Sequence, residues 1–165
     1  EIYQFVGDEA VITWDISIPG SDKKALDLFC DFKAYLEENS WDFERDYHLR
    51  PYFKCAIHSG PAVRSEIGKE KIHLVYHGDV LNTTSRLLGQ CHFQNTDIII
   101  SETAVVQKQH LENKYELRPM EYTNLKGKSK SVKAYVVRER SVKKDIRDTS
   151  SEFFLSQKVT VSHII

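Results

Sequence analysis

The fold of this chain is organised around one stretch, His77-Gly78-Asp79-Val80-Leu81-Asn82-Thr83-Thr84-Ser85-Arg86-Leu87-Leu88. Its pattern is typical of a tight turn that opens an amphipathic helix. Gly78 permits the turn, and Asp79 carries the short acceptor side chain preferred at a helix N-cap. Apolar or small side chains then recur at helical spacing, at positions 80, 81, 84, 87, 88 and 91. The sequence therefore predicts a helix that begins near Asp79 and packs one face on a core.

Asn82 and Arg86 are the polar residues of interest on this helix. They are four residues apart, so they project from one helical face. An amide donor one turn before a permanently charged guanidinium suits a bound phosphate. An exposed Asn and Arg are equally compatible with a solvated helix surface, so these residues alone leave both interpretations open.

The composition is that of an ordinary globular domain. The chain has 165 residues, 41% of them hydrophobic, which is enough for one domain with a buried core. Its formal net charge of -1 lacks the basic excess that nucleic acid or a membrane surface demands. We therefore expect no nucleic-acid partner and no membrane contact within this chain, and an anionic ligand would have to be held locally.

The cysteine pattern favours a cytoplasmic setting. Cys30, Cys55 and Cys91 are odd in number and widely spaced, which predicts neither a disulfide framework nor a structural zinc site. No apolar run approaches the roughly 20 residues of a membrane helix, although a tether could lie outside this sequence. The first residues are neither a signal peptide nor a natural start, which indicates a fragment.

The first half of the chain predicts strands and one helix ahead of the central stretch. Residues 2–6 and 10–14 are rich in strand formers, and the Gly7-Asp8 step predicts a hairpin with Asp8 at its tip. A helix capped by Ser21 is expected to run to about residue 39, followed by a connecting excursion over residues 41–50. Three strands are expected between residues 52 and 76.

The second half continues the alternation. Residues 97–100 predict a short buried strand, followed by a helix over 102–109 with Ser101 as its cap. Two strands, at 115–124 and 131–138, are joined by a basic loop that contains Lys126. Residues 139–165 show no clear pattern and are expected to form a peripheral tail. The order ββ-α-βββ-α-β-α-ββ, with its hairpins, predicts an α+β or mixed α/β class.

Four motifs follow one another in a specific order. They are Phe5-Val6-Gly7-Asp8-Glu9, then Ala56-Ile57-His58-Ser59-Gly60-Pro61-Ala62-Val63 with Glu66-Ile67-Gly68, then Gly78 to Leu87, and finally Leu125-Lys126-Gly127-Lys128. In sequence and spacing they resemble the class III adenylate/guanylate cyclase catalytic domain. The resemblance implies an α+β, ferredoxin-like nucleotide cyclase fold with a mixed, mainly antiparallel sheet flanked by helices. We place this domain at residues 1–138 and the tail at 139–165.

The resemblance also implies a reaction and a metal requirement. A nucleotidyl cyclase sends the 3′-hydroxyl of a nucleoside triphosphate to its own α-phosphorus, which yields a cyclic 3′,5′-nucleotide and pyrophosphate. Two Mg²⁺ or Mn²⁺ ions can assist both ends of this displacement, and these hard cations prefer carboxylate oxygens. Asp8 matches one of the family's two metal-binding aspartates. Without the resemblance, an Asp at a hairpin tip is commonly only a turn former.

The remaining site residues are matched in the same way. Asn82 matches the asparagine that orients the ribose, and Arg86 matches the arginine that stabilises the charged α-phosphate in the transition state. Lys126 matches the lysine that contacts the terminal phosphates, with a solvated basic turn as the alternative. The resemblance implies a head-to-tail homodimer, in which Asn82 and Arg86 act on a nucleotide whose metals are held by the other protomer.

The chain departs from the family pattern at two places. The family's first metal-binding aspartate would precede the Gly7-Asp8 hairpin and lie before residue 1, so the fragment alone is expected to have little activity. The base-facing positions hold Gln4 and Val75, where adenylate cyclases usually carry Lys and Asp or Thr, and guanylate cyclases Glu and Cys. A Gln amide can pair with either base and Val75 offers no hydrogen bond. We favour ATP over GTP mainly because adenylate cyclases are frequent among members of the family that resemble bacterial ones.

Two functions stay open from the sequence. One is a nucleotidyl cyclase, and the other is a catalytically inactive cyclase-like module that dimerises and senses nucleotide. His73 and His77 are four residues apart on a predicted strand and turn, where that spacing does not bring two rings to one metal. His58 is given no role.

Overall fold

The computed structural model describes residues 1–105, 111–120 and 132–140, together with the backbone of 156–164. The elements in chain order are β1 Ile2–Val6, β2 Glu9–Asp15, α1 Ser21–Glu38, α2 Ser40–Tyr47, β3 Tyr52–Gly60, β4 Val63–Ile67, β5 His73–His77, α3 Asp79–Phe93, β6 Ile98–Ser101, a 3-10 helix Glu102–Ala104, β7 Tyr115–Pro119, β8 Ala134–Glu139 and β9 Ser156–Ile164.

A seven-stranded sheet in the order β1-β2-β9-β3-β6-β8-β7 forms the centre of the fold, and β4 and β5 form a separate hairpin. The β2-β9, β9-β3 and β3-β6 pairs are parallel. The β1-β2, β6-β8, β7-β8 and β4-β5 pairs are antiparallel. The predicted α+β class and the mixed sheet are confirmed.

Helices α1 and α3 pack on opposite faces of this sheet. Successive side chains of a strand alternate between its faces. Cys55 and Ile57 of β3 belong to the core cluster that contains Leu26 of α1, whereas Ala56 belongs to the cluster that contains Leu87 of α3. Each such fully buried leucine contributes about 1.5–3 kcal/mol of apolar transfer free energy. The prediction of a sheet flanked by helices is confirmed.

The N-terminal hairpin forms as the sequence predicts. Val6 pairs with Glu9, which leaves Gly7 and Asp8 as a two-residue turn. Gly7 has a φ of 61°, the positive value that glycine tolerates best at the first position of a hairpin turn. Helix α1 starts one residue differently from expectation, because Gly20, with φ 76°, is the N-cap and Ser21 is the first helical residue.

Helix α2 differs from the sequence prediction, which was a connecting excursion over residues 41–50. Residues 40–47 are helical, yet none of them is buried. Arg45 lies 2.8 Å from Asp42 in an i,i+3 ion pair and 4.8 Å from the centre of the Trp41 ring. The helix is only eight residues long, which is shorter than the stretch over which an apolar repeat can be recognised in a sequence.

Strand β9 also differs from the sequence prediction, which placed residues 139–165 in a peripheral tail. It lies between β2 and β3 in the middle of the sheet. Its register runs from Glu9 opposite Lys158 to Asp15 opposite Ile164, and from Tyr52 opposite Ser156 to Gly60 opposite Ile164. Parallel pairing joins strands that are distant in the chain and involves main-chain groups, so the local sequence pattern did not reveal it.

The remaining predictions of secondary structure hold in part. Of the helix predicted over 102–109, residues 102–104 form a 3-10 helix, and residues 106–110 lie outside the described residues. Ser101 occupies the N-cap position, but its side chain does not cap the helix. Strands β7 and β8 pair in an antiparallel ladder, with Arg118 opposite Val136.

Candidate functional site

The start of α3 sits directly against the junction between β3 and β4. Gly78, rather than the predicted Asp79, is the N-cap, and Asp79 is the first helical residue. A Cβ atom at position 78 would lie 2.8 Å from the Pro61 carbonyl oxygen and 3.2 Å from Ala62 Cα. Only glycine allows this close approach, so the Gly78-Asp79 step fixes where the helix begins.

Helix α3 buries one face and presents Asn82 and Arg86 on another. Val80, Thr84 and Leu87 are buried, whereas Asn82 is exposed and Arg86 is partly exposed. Arg86 forms no ion pair with any residue of the described ranges. The predicted arrangement of an amide one turn before a guanidinium is therefore present on an accessible helix face.

Asp8 lies at the exposed tip of the β1-β2 hairpin. Its carboxylate is a hard oxygen donor of the kind that Mg²⁺ and Mn²⁺ bind. Within the described part of the chain, no group of three or more His, Cys, Asp or Glu side chains is arranged to hold a metal ion. Asp8 is thus a candidate ligand, but these residues do not form a metal site by themselves.

The strands that carry Gln4 and Val75 come together through two tyrosines. The rings of Tyr3 and Tyr76 meet edge to face with centroids 5.0 Å apart, and the Tyr76 backbone N–H donates to the Tyr3 hydroxyl at 3.3 Å. Gln4 is exposed and Val75 is partly buried. The contact between β1 and β5 joins residues more than 70 positions apart, so the sequence analysis missed it.

A β-bulge shapes this contact. Ile2 pairs with Ile12 and Gln4 with Val11, which makes Tyr3 the extra residue of β1. The Tyr76 hydroxyl also donates to Glu1 Oε1 at 3.0 Å. Burial, followed by the hydrogen bond to Glu1 and the charge of that residue, raises the pKa of the Tyr76 phenol.

The remaining residues considered in the sequence analysis are Lys126, His73 and His77. Lys126 lies outside the described residues. His73 and His77 are exposed at the two ends of β5. Four residues of extended strand span about 13 Å, which is too far for two rings to share one metal.

A buried polar network surrounds His58, to which the sequence analysis gave no role. His58 is 8% exposed, and its Nδ1 lies 2.8 Å from Ser101 Oγ and 3.3 Å from Thr103 Oγ1. Thr103 Oγ1 lies 3.0 Å from Ser101 Oγ and donates to the Ser59 carbonyl at 2.8 Å. A histidine at the end of an apolar strand run, directly before Ser-Gly-Pro, was the available signal.

A cavity of about 410 Å³ lies away from these residues. Phe29 and Phe32 of α1 and Phe53 near the start of β3 are among its mainly apolar lining residues. Gly60 and the start of α3 lie at the opposite end of β3. We therefore do not assign this cavity to the candidate site, despite its size.

A family model described as the adenylate and guanylate cyclase catalytic domain matches residues 7–139. The chain belongs to this family. Within the described ranges of this cyclase domain, no helix has the length and apolar character needed to cross a membrane.

Two curated relatives are named adenylate cyclases, both from Rhizobium meliloti (strain 1021). Adenylate cyclase 2 is 36% identical over 100 residues, which cover 61% of this chain and 28% of the relative. Adenylate cyclase 1 is 28% identical over 141 residues, which cover 82% of this chain and 20% of the relative. The cyclase domain therefore matches less than a third of the length of either protein.

One similar solved structure is the guanylate cyclase domain of RhGC from Catenaria anguillulae in complex with GTP. It is 24% identical, with a TM-score of 0.34, and the match covers 48% of this chain and 41% of that one.

Proposed function

We propose that this cyclase domain is the catalytic part of a nucleotidyl cyclase that forms a cyclic 3′,5′-nucleotide and pyrophosphate from a nucleoside triphosphate. The family match over residues 7–139 carries this proposal. It is supported by the motifs in which Asp8, Asn82 and Arg86 match functional residues of the family, and by the exposure of these residues on a hairpin tip and an accessible helix face. ATP is the proposed substrate, because both curated relatives are named adenylate cyclases.

Arg86 and Asn82 are proposed to act on the nucleotide during cyclisation. Negative charge builds on the α-phosphate oxygens as the 3′-hydroxyl attacks, and a guanidinium without a competing ion pair within the described ranges can stabilise it. Asn82, one helical turn earlier, would hold the ribose so that its 3′-hydroxyl faces the α-phosphorus. Preorganised donors of this kind commonly contribute ~2.7–4 kcal/mol each to lowering a barrier.

Asp8 is proposed to bind Mg²⁺ or Mn²⁺ through its carboxylate. Divalent cations, when bound, make the attacking hydroxyl more acidic and neutralise the triphosphate. Because Asp8 offers a single carboxylate, phosphate oxygens and ligands outside the described residues would have to complete the coordination.

We propose that two copies assemble head to tail, so that Asp8 of one faces Asn82 and Arg86 of the other. Large apolar side chains are exposed beside the site residues, with Phe5 at 71% and Val6 at 55% directly before the Gly7-Asp8 turn. Val63 and Ile67 of β4 are also exposed, at 66% and 53%. Exposed apolar surface of this kind is typical of a protein-protein interface.

Product formation tests the proposal. The natural full-length protein is incubated with ATP or GTP and Mn²⁺, and cyclic AMP and cyclic GMP are measured by chromatography. Arg86→Ala should lower turnover about 10²–10³-fold with little effect on nucleotide binding, because the charge that Arg86 meets develops in the transition state. Arg118→Ala, on the exposed side of β7, is the control and should retain wild-type turnover.

One result would refute the proposed cyclase activity. No cyclic product from either nucleotide, from a protein that is folded and dimeric, would leave the catalytically inactive nucleotide-sensing module as the function. If Arg86→Ala altered only folding or dimerisation, the role proposed for Arg86 would be wrong.

A further inference from the structure

The network around His58 joins three elements beside the start of α3. His58 and Ser59 are near the end of β3, Ser101 ends β6, and Thr103 belongs to the 3-10 helix. Ser101 is fully buried and Ser59 is 4% exposed. Thr103 is exposed, but the buried Ser101 hydroxyl and His58 ring need hydrogen-bond partners, so the direction of each hydrogen bond around them has to be worked out.

The direction of the hydrogen bond from the Thr103 hydroxyl determines the directions of the other hydrogen bonds in the network. The Ser59 carbonyl can only accept, so Thr103 donates its single hydroxyl proton to it across 2.8 Å. Thr103 Oγ1 can then only accept from Ser101 Oγ, which lies 3.0 Å away. If Ser101 gives its proton to Thr103, Ser101 must in turn accept from His58 Nδ1–H across 2.8 Å.

The reverse direction is unfavourable. If Ser101 donated to His58 Nδ1 instead, the Ser101 and Thr103 oxygens would face each other at 3.0 Å with no proton between them. A chain that runs from His58 to Ser101, Thr103 and the Ser59 carbonyl therefore satisfies every group in it. It requires the ring tautomer with the proton on Nδ1.

The His58 ring and the first turn of α3 both lie close to Gly60. A Cβ atom placed on Gly60 would lie 3.6 Å from His58 Nε2 and 3.6 Å from Val80 Cβ. Val80 is the second residue of α3 and is 2% exposed. The hydrogen-bond chain therefore lies next to the end of β3 against which the helix carrying Asn82 and Arg86 begins.

We propose that His58, Ser101 and Thr103 are positioning residues, whose one-way hydrogen-bond chain holds the first turn of α3 so that Asn82 and Arg86 meet the nucleotide. This inference rests on the proposed function, because it assigns the network a role in the cyclase reaction. Displacing reacting groups by about 1 Å can cost 10²-fold in rate. Loss of the hydrogen-bond chain should therefore lower kcat much more than it changes KM.

Thr103 offers a matched pair of variants. Its side chain is exposed, so substitution should leave the fold intact. In the full-length protein, Thr103→Val, which removes the hydroxyl at nearly constant shape, should lower kcat about 10–100-fold with KM within about twofold. Thr103→Ser keeps the hydroxyl and should retain most of wild-type kcat. Ser101→Ala should behave like Thr103→Val.

Two controls separate positioning from general destabilisation. Leu117→Ala, in β7 and away from α3, removes packing and should lower the melting temperature without selectively lowering kcat. Amide hydrogen exchange in residues 79–83 should be faster in Thr103→Val than in Thr103→Ser. Wild-type kcat in folded Thr103→Val and Ser101→Ala, or equal loss in Thr103→Ser and Thr103→Val, would overturn the proposal.

The tautomer can be measured without any activity. Nitrogen-15 NMR of histidine-labelled protein, with the His58 signals identified by their loss in His58→Gln, should show a protonated Nδ1. An unprotonated Nδ1 would overturn the hydrogen-bond chain. If the wild-type protein made no cyclic nucleotide, the proposed function would fail, whereas the NMR and exchange measurements would still decide the network and its hold on α3.

Discussion

Asp27 provides a prediction about stability that can be worked out from its contacts. Its Oδ1 accepts hydrogen bonds from the Tyr115 hydroxyl at 2.7 Å and from Lys114 Nζ at 3.0 Å, and Lys23 binds its other oxygen. Burial by itself would raise the pKa of Asp27, but the hydrogen bonds from Lys23, Tyr115 and Lys114 outweigh it. The pKa of Asp27 is lowered from 3.8 to about 2. These bonds tie α1 to β7.

The lowered pKa sets both the size and the pH window of the effect. A shift from 3.8 to about 2 corresponds to roughly 2.4 kcal/mol at 1.36 kcal/mol per pH unit. The Asp27 side chain is 24% exposed and its lysine partners more so, so solvent screening reduces the expected contribution to about 1–2 kcal/mol. Because the folded-state pKa is depressed, this stability is present above about pH 4 and is lost as the pH falls through about 2.

Urea denaturation of wild type and Asp27→Asn, at several pH values from 7 to 3, measures this contribution. The variant should be about 1–2 kcal/mol less stable at pH 7, and the difference should shrink as the pH is lowered. Asp31→Asn, an exposed position one turn further along α1, is the matched control and should change little. A difference between wild type and Asp27→Asn that is independent of pH would refute the reasoning.

Three further predictions concern the candidate site. Gly78→Ala should destabilise the fold by about 1–3 kcal/mol in urea denaturation and lower cyclase turnover, because its Cβ meets backbone. Gly89→Ala, whose Cβ would lie within 4 Å of no atom beyond its chain neighbours and its own helix backbone, should stabilise the fold by about 0.5–1 kcal/mol. Equal stability of both variants would contradict the packing argument. Phe5→Asp should abolish the proposed dimer in analytical ultracentrifugation, while Phe93→Asp, on an equally exposed phenylalanine, should not; a dimer that survives Phe5→Asp would place the interface elsewhere. Gln4→Glu should raise the rate with GTP relative to ATP by roughly tenfold in parallel assays, because a carboxylate cannot donate to a base as the amide can; an unchanged ratio would remove Gln4 from base recognition.

The local elements of the candidate site were predictable from the sequence. The helix with Asn82 and Arg86 follows from apolar spacing that repeats every turn, and the hairpin that carries Asp8 follows from a Gly-Asp step between two strand-forming runs. Both patterns involve residues within one or two turns of each other, so neighbouring side chains already contain the information. The order of the four motifs was sufficient to identify the family that the match over residues 7–139 shows. The roles of the individual residues stay predictions.

The placement of distant segments was decided only by the tertiary structure. Strand β9 pairs with β2 and β3, which precede it by more than 90 residues, and the Tyr3-Tyr76 contact joins the two strands proposed to face the base. The His58 network likewise needs Ser101 and Thr103, more than 40 residues further along the chain. Periodicity and turn chemistry act over a few residues, whereas these contacts depend on the order of strands in the sheet. The sequence by itself determined the family and the two elements that carry Asp8, Asn82 and Arg86, and the sheet order determined which polar groups meet beside the start of α3.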